Sequence, residues 1–263
     1  MALELLPPQV FKVSGSDLDD PAFSQRFAGC IALAARQGAR PIVVHGGGKE
    51  LTALLGILQI ESKFVDGLRV TDARARDAAL MVLSGLANKR LVVAFIAAGL
   101  DALGVSGLDA GLVRVSPVSD ALGYVGKPVG VRANLLRAWF EAGIVPVIAP
   151  MSLGDDGEIY NVNADHVAGA VAAAVDASML TFVTNVPGVL DGSKMLFPHL
   201  SAAEAEALIR NGVITGGMVP KVRTALEALE AGVQRVRITD LDGVGTGGGT
   251  VFTASTFITG VTP

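Results

Sequence analysis

The feature that most restricts the fold of this chain is the alternation of short, almost wholly aliphatic runs with segments of helical periodicity. Val10–Val13 and Pro41–Val44 are two such runs, and between them Phe23–Gln37 carries apolar residues at helical spacing up to Gly38. Strands without polar alternation are typical of a parallel sheet that is buried on both faces. The sequence therefore predicts an α/β fold, a three-layer αβα sandwich around a mainly parallel sheet.

The same alternation continues along the chain. Further helices are predicted near Lys49–Leu58, at Asp72–Ala98 and Arg132–Ala142, from Asp165, after the capping box Ser201–Glu204, and at Met218–Ala231. Further strands are predicted at Leu112–Val115, Tyr124–Val131, Ile144–Ala149, Met179–Thr184, Arg235–Thr239 and Thr250–Phe252. Repeats, charge blocks and linkers are absent, which favours a single domain over residues 1–263 with two lobes that divide near Asp176.

Composition excludes several classes of function. The net charge of −4 on 263 residues provides no basic surface for nucleic acid or an anionic membrane. A lone cysteine, Cys30, excludes an internal disulfide, and the three histidines do not show metal-ligand spacing. No secretory signal is visible in Met1–Val10, and the uncharged runs Leu91–Leu100 and Ala142–Gly154 are shorter than the roughly 18 residues that span a bilayer. We expect a cytoplasmic protein.

Candidate ligand-binding loops follow the strands, because ligands of doubly wound sheets bind beyond the carboxyl ends of the strands. These loops are Val13–Ser16, His45–Gly48, Asn161–Asp165 and Thr184–Gly192. The glycines of His45–Gly48 offer backbone N–H groups before a helix, which suits an anion. The loop lacks both the P-loop and the dinucleotide-binding patterns, and an esterase would need a Gly-x-Ser-x-Gly segment that this sequence does not contain.

Several charged and polar residues near these loops have two interpretations. Lys12, late in an apolar strand, either meets an anion or reaches solvent from an edge strand. Arg69 either binds a carboxylate or forms a surface ion pair. The polar residues of Asn161–Asp165 either act in a site, or Asn163 or Asp165 simply caps the helix that follows. Lys221 follows Thr215–Gly217 and lies beside a second glycine loop. A carboxylate nucleophile needs no general base, so a site rich in cations and N–H groups fits phosphoryl transfer to a carboxylate.

Taken in order, these motifs resemble the amino acid kinase superfamily, and within it the N-acetylglutamate kinases of arginine biosynthesis. The similarity extends from about Val10 to Val251. The motifs that carry it are Lys12 with Ser14-Gly15, Val43–Gly48, Asp66–Asp72, Ala87–Lys89, Asn161–Asp165, Asn185–Asp191 and Ile214–Lys221.

The resemblance implies ATP-dependent phosphorylation of the γ-carboxylate of N-acetyl-L-glutamate, with Mg²⁺ carried by the nucleotide phosphates. It implies Lys12 and Lys221 as transition-state stabilisers and Asp165 as the residue that orients both. The acetylglutamate ligands would be Gly47, Gly48, Arg69 and Asn161, in an N-lobe of about 1–176. ATP would bind a C-lobe of about 177–263 through Thr184, Asn185, Val186, Pro187, Gly188, Val189, Thr215, Gly216 and Gly217, and Gly15 of the first glycine loop would contact its transferring phosphate.

The sequence departs from the family pattern at Ser14, where a glycine is usual. With serine in place of glycine, the backbone of this loop can approach the phosphate closely at one position fewer. The serine hydroxyl can instead donate a hydrogen bond to the phosphate. Because Leu5–Pro8 contains two prolines and only eleven residues precede Lys12, we expect no N-terminal ring-forming helix. The expectation is a homodimer insensitive to arginine, with the Asp72–Ala98 helix as its contact surface.

Three questions stay open. A related kinase that acts on carrier-linked 2-aminoadipate or glutamate would share this chemistry, although the lack of a basic patch for an acidic carrier disfavours it. A non-catalytic sensor on the same fold would not need Lys12, Asp165 and Lys221 together. A regulator of the PII type stays open as a partner.

Overall fold

The structure of the protein, a computed structural model, describes residues 6–14 and 18–254. Gly15, expected to contact phosphate, and the segment before Leu6 lie outside the described residues. The strands are β1 (Pro8–Val13), β2 (Arg40–His45), β3 (Phe64–Val65), β4 (Leu68–Arg69), β5 (Ala102–Ser106), β6 (Val113–Pro117), β7 (Val125–Val131), β8 (Val145–Ala149), β9 (Met151–Gly154), β10 (Ile159–Val162), β11 (Met179–Val183), β12 (His199–Ser201), β13 (Arg235–Thr239) and β14 (Thr250–Thr253). The α-helices are α1 (Pro21–Arg36), α2 (Gly48–Ile57), α3 (Ala73–Ala79), α4 (Asn88–Ala97), α5 (Ala133–Glu141), α6 (Ala164–Ala174), α7 (Ala202–Arg210), α8 (Met218–Glu230) and α9 (Leu241–Thr246).

Eight of the described strands form one sheet in the order β12-β14-β13-β11-β1-β2-β8-β5. Its pairs are parallel except for the antiparallel pair β13–β14, which confirms the predicted mainly parallel sheet. Strands that precede Asp176 occupy one half of the sheet and strands that follow it occupy the other, and β1 and β11 meet at the centre. The division into two lobes stays a prediction.

Helices cover both faces of this sheet, and strand β1 shows why. Successive side chains of a strand point to opposite faces. Phe11 and Val13 enter a core with residues of α1, α4 and α9, whereas Val10 enters the larger core with α5, α6 and α8. By the same alternation Lys12 lies on the face of α6, where its register partners are Val44 and Phe182.

The predicted Asp72–Ala98 helix is continuous from Ala73 to Ala97, but its middle turns, Leu80–Ala87, are π-helical. The Asp72 side chain caps the helix by accepting a hydrogen bond from Ala75 N, as expected. By length and composition alone this helix could cross a membrane, with a mean hydropathy of 1.6. Within the protein 39% of this apolar window is buried, and Asn88 and Phe95 are fully buried, so the helix packs against the core with one face.

Several short elements were not predicted, namely the strands β3, β4, β5, β9, β10 and β12 and the six-residue helix α9. Strands β9 and β10 flank a turn at Gly154–Gly157 and pair antiparallel. With β6 and β7 they close a ring of four strands beside the main sheet. Strands of two to five residues carry little periodicity, and pairing with other strands makes them extended.

Candidate active site

The residues that directly follow β1, β2 and β11 lie at one edge of the sheet, beyond the carboxyl ends of these strands. Val13 is in register with His45 on one side and with Val183 on the other. The Gly46 N–H also donates to Val13 O over 3.1 Å, which joins the loops after β1 and β2. The residues after these strands therefore share one rim.

A cavity of about 200 Å³ opens at this rim. Its lining includes the four residues expected to hold acetylglutamate, which are Gly47, Gly48, Arg69 and Asn161. Leu51, Phe64 and Leu83 contribute apolar surface, and Pro150 closes one side. The structure thus brings together residues that are up to 114 positions apart, between Gly47 and Asn161.

The two glycines of this cavity differ in what they contact. A Cβ at Gly47 would lie 2.5 Å from Leu83 Cδ2 in the π-helical turns, so the packing there excludes a side chain. A Cβ at Gly48 would meet nothing within 4 Å. Helix α2 begins at Gly48 and no side chain caps it, so its first N–H groups face an open cavity, the arrangement that suits an anion.

Arg69 is the main cation of the cavity and is only 9% exposed. Its guanidinium donates to Gly48 O over 3.2 Å, to Thr52 Oγ1 over 2.8 Å and to Ser62 Oγ, and it lies 4.6 Å from the centroid of the Phe64 ring. All of these partners are neutral, and within the described residues Arg69 forms no ion pair. The surface ion pair considered for Arg69 is therefore wrong.

Burial lowers the pKa of Arg69 from its ordinary value, although a guanidinium remains charged at neutral pH. A buried cation among neutral donors and acceptors is costly unless an anion reaches it. The geometry therefore provides a receptor for a carboxylate.

Asn161 is tied to Arg69 through Thr71, which is fully buried. The Asn161 amide donates to Thr71 Oγ1 over 3.3 Å, and Thr71 Oγ1 donates to Arg69 O over 2.8 Å. Sequence reasoning missed Thr71, Thr52 and Ser62. Their signal was weak, because hydroxyl side chains beside an arginine are common in surface loops.

Lys12 and Asp165 form an ion pair in which Lys12 Nζ lies 2.8 Å from Asp165 Oδ1. The Lys12 side chain is 14% exposed and the Asp165 side chain is 25% exposed. Asn163, not Asp165, caps α6, since its side chain accepts from Asp165 N over 2.8 Å. The interpretation of Lys12 as a solvent-facing edge lysine is wrong, because β1 is a central strand.

Lys221 lies in the first turns of α8, and its ammonium donates to Asn185 Oδ1 over 3.2 Å. This contact joins two segments expected at the nucleotide, the loop after β11 and the turn before α8. In the first of these loops Thr184 N donates to Thr239 O over 2.8 Å and Val189 N donates to Thr250 Oγ1 over 2.8 Å. In the second, Thr215, Gly216 and Gly217 are exposed. The expected orientation of Lys221 by Asp165 stays a prediction.

Comparison with known proteins agrees with this site. Residues 7–240 match the profile of the Amino acid kinase family. An acetylglutamate kinase of Roseiflexus sp. (strain RS-1) is 52% identical over 251 residues, which cover 94% of both chains. An acetylglutamate kinase of Chloroflexus aurantiacus (strain ATCC 29366 / DSM 635 / J-10-fl) is 49% identical over 91% of this chain and 94% of the relative.

A solved structure shows the same fold. The crystal structure of smu.665 from Streptococcus mutans UA159 superposes with a TM-score of 0.81 at 29% identity, over 94% of this chain and 99% of that one. The match covers nearly the whole chain, and the cavity holds the residues that the motifs indicate. The chain belongs to the amino acid kinase family, among its acetylglutamate kinases.

Proposed function

We propose that this protein transfers the γ-phosphoryl group of ATP to the γ-carboxylate of N-acetyl-L-glutamate, giving N-acetylglutamyl 5-phosphate, the second step of arginine biosynthesis. The observation that carries the proposal is Arg69, a buried guanidinium without a carboxylate partner in the described part of the chain, at the wall of a cavity of suitable size. The high identity to acetylglutamate kinases over the whole chain supports the choice of acceptor.

The acceptor would enter the cavity with its α-carboxylate on Arg69 and its acetamido group at Asn161. A buried guanidinium at the wall of a cavity favours a carboxylate, because the charge-assisted hydrogen bonds replace lost hydration. The γ-carboxylate would then extend toward Gly47 and Gly48, whose N–H groups stabilise its negative charge.

Phosphoryl transfer to a carboxylate brings two anions together, so cations must neutralise the charge of the transferring group. Lys12 is held at the rim by Asp165, and Lys221 is held by Asn185. We infer that both ammonium groups approach the γ-phosphoryl group, Lys12 from β1 and Lys221 from α8. Asp165 acts as a positioning residue that holds the Lys12 ammonium at the rim.

The nucleotide would bind between the loop Thr184–Val189 and the turn Thr215–Gly217. Asp165 is occupied by Lys12, and a carboxylate that is paired with an ammonium is a poor ligand for Mg²⁺. We therefore assign Mg²⁺ to the nucleotide phosphates, where it would neutralise charge on the leaving group.

The test is to incubate the protein with Mg-ATP and, in separate reactions, N-acetylglutamate, glutamate and 2-aminoadipate, and to trap acyl phosphate with hydroxylamine. The expected result is hydroxamate with N-acetylglutamate alone. Hydroxamate with 2-aminoadipate or glutamate would contradict the proposed acceptor. If no acceptor produces hydroxamate while ATP and acetylglutamate both bind in calorimetry, the protein is a sensor and not a kinase.

We also propose a cytoplasmic homodimer that uses the long helix as its contact surface. Met81, Leu86, Val93 and Ile96 lie on that helix and are 47–66% exposed, which is unusual for large apolar side chains. Light scattering should give twice the mass of the chain, and Val93→Glu should shift the protein toward monomer. A mass of four or six subunits, or an unchanged dimer in that variant, would contradict this surface.

A further inference from the structure

His45 is fully buried directly before the glycine loop, and the proposed chemistry assigns it no role. It is the last residue of β2, and its imidazole contacts two groups. Nδ1 lies 2.8 Å from Gly46 O, and Nε2 lies 3.1 Å from Nδ2 of Asn88, the first residue of α4. The ring therefore connects the loop of the cavity to the long helix.

The surroundings of Asn88 determine which way its amide points. Lys89 Nζ, a donor only, lies 3.0 Å from Asn88 Oδ1, so that atom accepts. Asn88 Nδ2 lies 2.9 Å from Val147 O and 3.3 Å from Val105 O, so that end of the amide is the donor, and its two hydrogens are shared among these carbonyls and His45 Nε2. An NH₂ group that faces His45 Nε2 requires this nitrogen to be the unprotonated acceptor.

The neutral imidazole then carries its proton on Nδ1 and donates it to Gly46 O. The peptide bonds of the described residues are trans, so the C=O of Gly46 and the N–H of Gly47 point in opposite directions in one plane. Holding the carbonyl against His45 directs the Gly47 N–H away from the buried ring. Gly46, Gly47 and Gly48 all line the cavity, whereas His45 does not.

The N–H groups of Gly47 and Gly48 have no hydrogen-bond acceptor in the described part of the chain. Backbone donors without a partner at the start of a helix are satisfied by water or by a ligand. A peptide that is free to rotate would lose much of its advantage as an anion receptor, because electrostatic stabilisation depends on donors that are oriented beforehand.

We propose that His45 is a positioning residue, whose Nδ1–H tautomer is imposed by Asn88 and fixes the Gly46–Gly47 peptide so that Gly47 N–H faces an anionic oxygen of the phosphate acceptor. Asn88 is the second member of this pair, and it acts through His45. The inference rests on the proposed function for the identity of the acceptor, and on the geometry alone for the tautomer and the peptide orientation.

Substitutions at His45 separate this role from simple packing. His45→Asn keeps an NH₂ donor close to the position of Nδ1, His45→Gln moves the donor to the position of Nε2, and His45→Leu removes it. We expect kcat/KM for N-acetylglutamate to fall about tenfold in the Leu and Gln variants, the equivalent of one hydrogen bond to a charged group, and markedly less in the Asn variant. The KM for ATP should stay unchanged throughout.

Thermal unfolding of each variant provides the control for folding. If His45 only fills space, the opposite order is expected. The Gln variant, whose side chain is nearer in size to histidine, should then have a higher kcat/KM than the Asn variant. Equal kcat/KM in the Asn, Gln and Leu variants, or Gln above Asn, would overturn the proposal.

A second measurement does not depend on activity. Long-range ¹H–¹⁵N correlation spectra of the wild-type protein, with the His45 signals assigned by their loss in His45→Asn, should show a neutral ring protonated at Nδ1. A ring protonated at Nε2 would overturn the positioning role. If the spectra show the Nδ1–H tautomer but the wild type produces no hydroxamate with N-acetylglutamate, the proposed function has failed and the oriented peptide stands.

Discussion

Two glycine loops flank the site, and they are built in opposite ways. The loop Gly46–Gly48 is packed against Leu83 and held by His45 and Arg69. The turn Thr215–Gly217 is exposed, its last two glycines have open space around them, and backbone hydrogen bonds to Met218 and Val219 hold it. The comparison indicates that the loop proposed for the acceptor is oriented before a ligand arrives, whereas the turn proposed for the nucleotide leaves room for adjustment.

The largest expected effect is at the open turn, where Lys221→Ala should lower kcat by about 10²–10³-fold, the usual cost of losing one stabilising group in the transition state. ATP binding should change little, because the ammonium acts mainly on the moving phosphoryl group. Steady-state kinetics and nucleotide titration measure both quantities, with Lys127→Ala, an exposed lysine of β7, as the control. Full turnover in Lys221→Ala would remove Lys221 from the mechanism.

A smaller effect is expected at the packed loop from Arg69→Lys. Lysine keeps the positive charge but lacks the planar guanidinium, whose N–H groups can donate to the acceptor and, at the same time, to Gly48 O and Thr52 Oγ1. The KM for N-acetylglutamate should rise roughly 10–100-fold while kcat falls less, because the lost contact binds ground state and transition state alike. Arg114→Ala, which removes an exposed ion pair with Asp155, is the matched control. An unchanged KM would show that Arg69 does not bind the acceptor.

The contrast between the loops can be tested on stability with three glycine-to-alanine variants. Gly47→Ala should destabilise the fold by about 1–3 kcal/mol, because the new Cβ overlaps Leu83. Gly217→Ala and Gly48→Ala should leave the free energy of unfolding almost unchanged, since nothing lies near either Cβ. Gly48→Ala should nevertheless weaken acceptor binding. Denaturant unfolding and calorimetry give the values, and equal stability of Gly47→Ala and Gly217→Ala would contradict the comparison.

The smallest effect concerns pH. Burial lowers the pKa of His45 from 6.5 to about 4. The hydrogen bond to Gly46 opposes this shift, and the positive charge of Lys89 adds to it. The unfolded chain then binds more protons between these values, so the stability from His45 is fully present above pH 6.5 and is lost as the pH falls toward 4. The loss between pH 7 and pH 5 should be about 2 kcal/mol. The difference in unfolding free energy between the wild type and His45→Asn, measured at each pH, isolates the contribution of His45. A difference that does not change with pH would contradict the lowered pKa.

Much of the secondary structure was predictable, because the sequence patterns that indicate helices, their caps and strands involve only neighbouring residues. Helix α1 ends near Gly38 as its periodicity indicates, and Ser201 and Glu204 form the expected capping box. Lys12, late in an apolar strand, had two interpretations, and the central position of β1 decides against the solvent-facing one. The π-helical turns Leu80–Ala87 were not predictable, because the same residues satisfy α-helical periodicity.

The four residues expected to hold acetylglutamate line one cavity, but their contacts were not predicted. The motifs placed Gly47 and Asn161 in loops that follow strands and Arg69 between two helices. The link from Asn161 through Thr71 to Arg69 depends on where loops from distant parts of the chain meet. Ser14, where the family pattern has glycine, directly follows β1, and its effect on catalysis stays a prediction.

The amino-acid sequence alone determined the α/β class, the order of the main helices and strands, and the motifs that assign the family, because periodicity, caps and glycine loops act over a few residues. The family resemblance already implied Asp165 beside Lys12, and the tertiary structure shows the ion pair. Only the tertiary structure placed Asn185 at Lys221 and buried His45 against Asn88. These contacts join segments that lie tens of residues apart in the sequence, so they arise from packing of the whole sheet and from no local pattern.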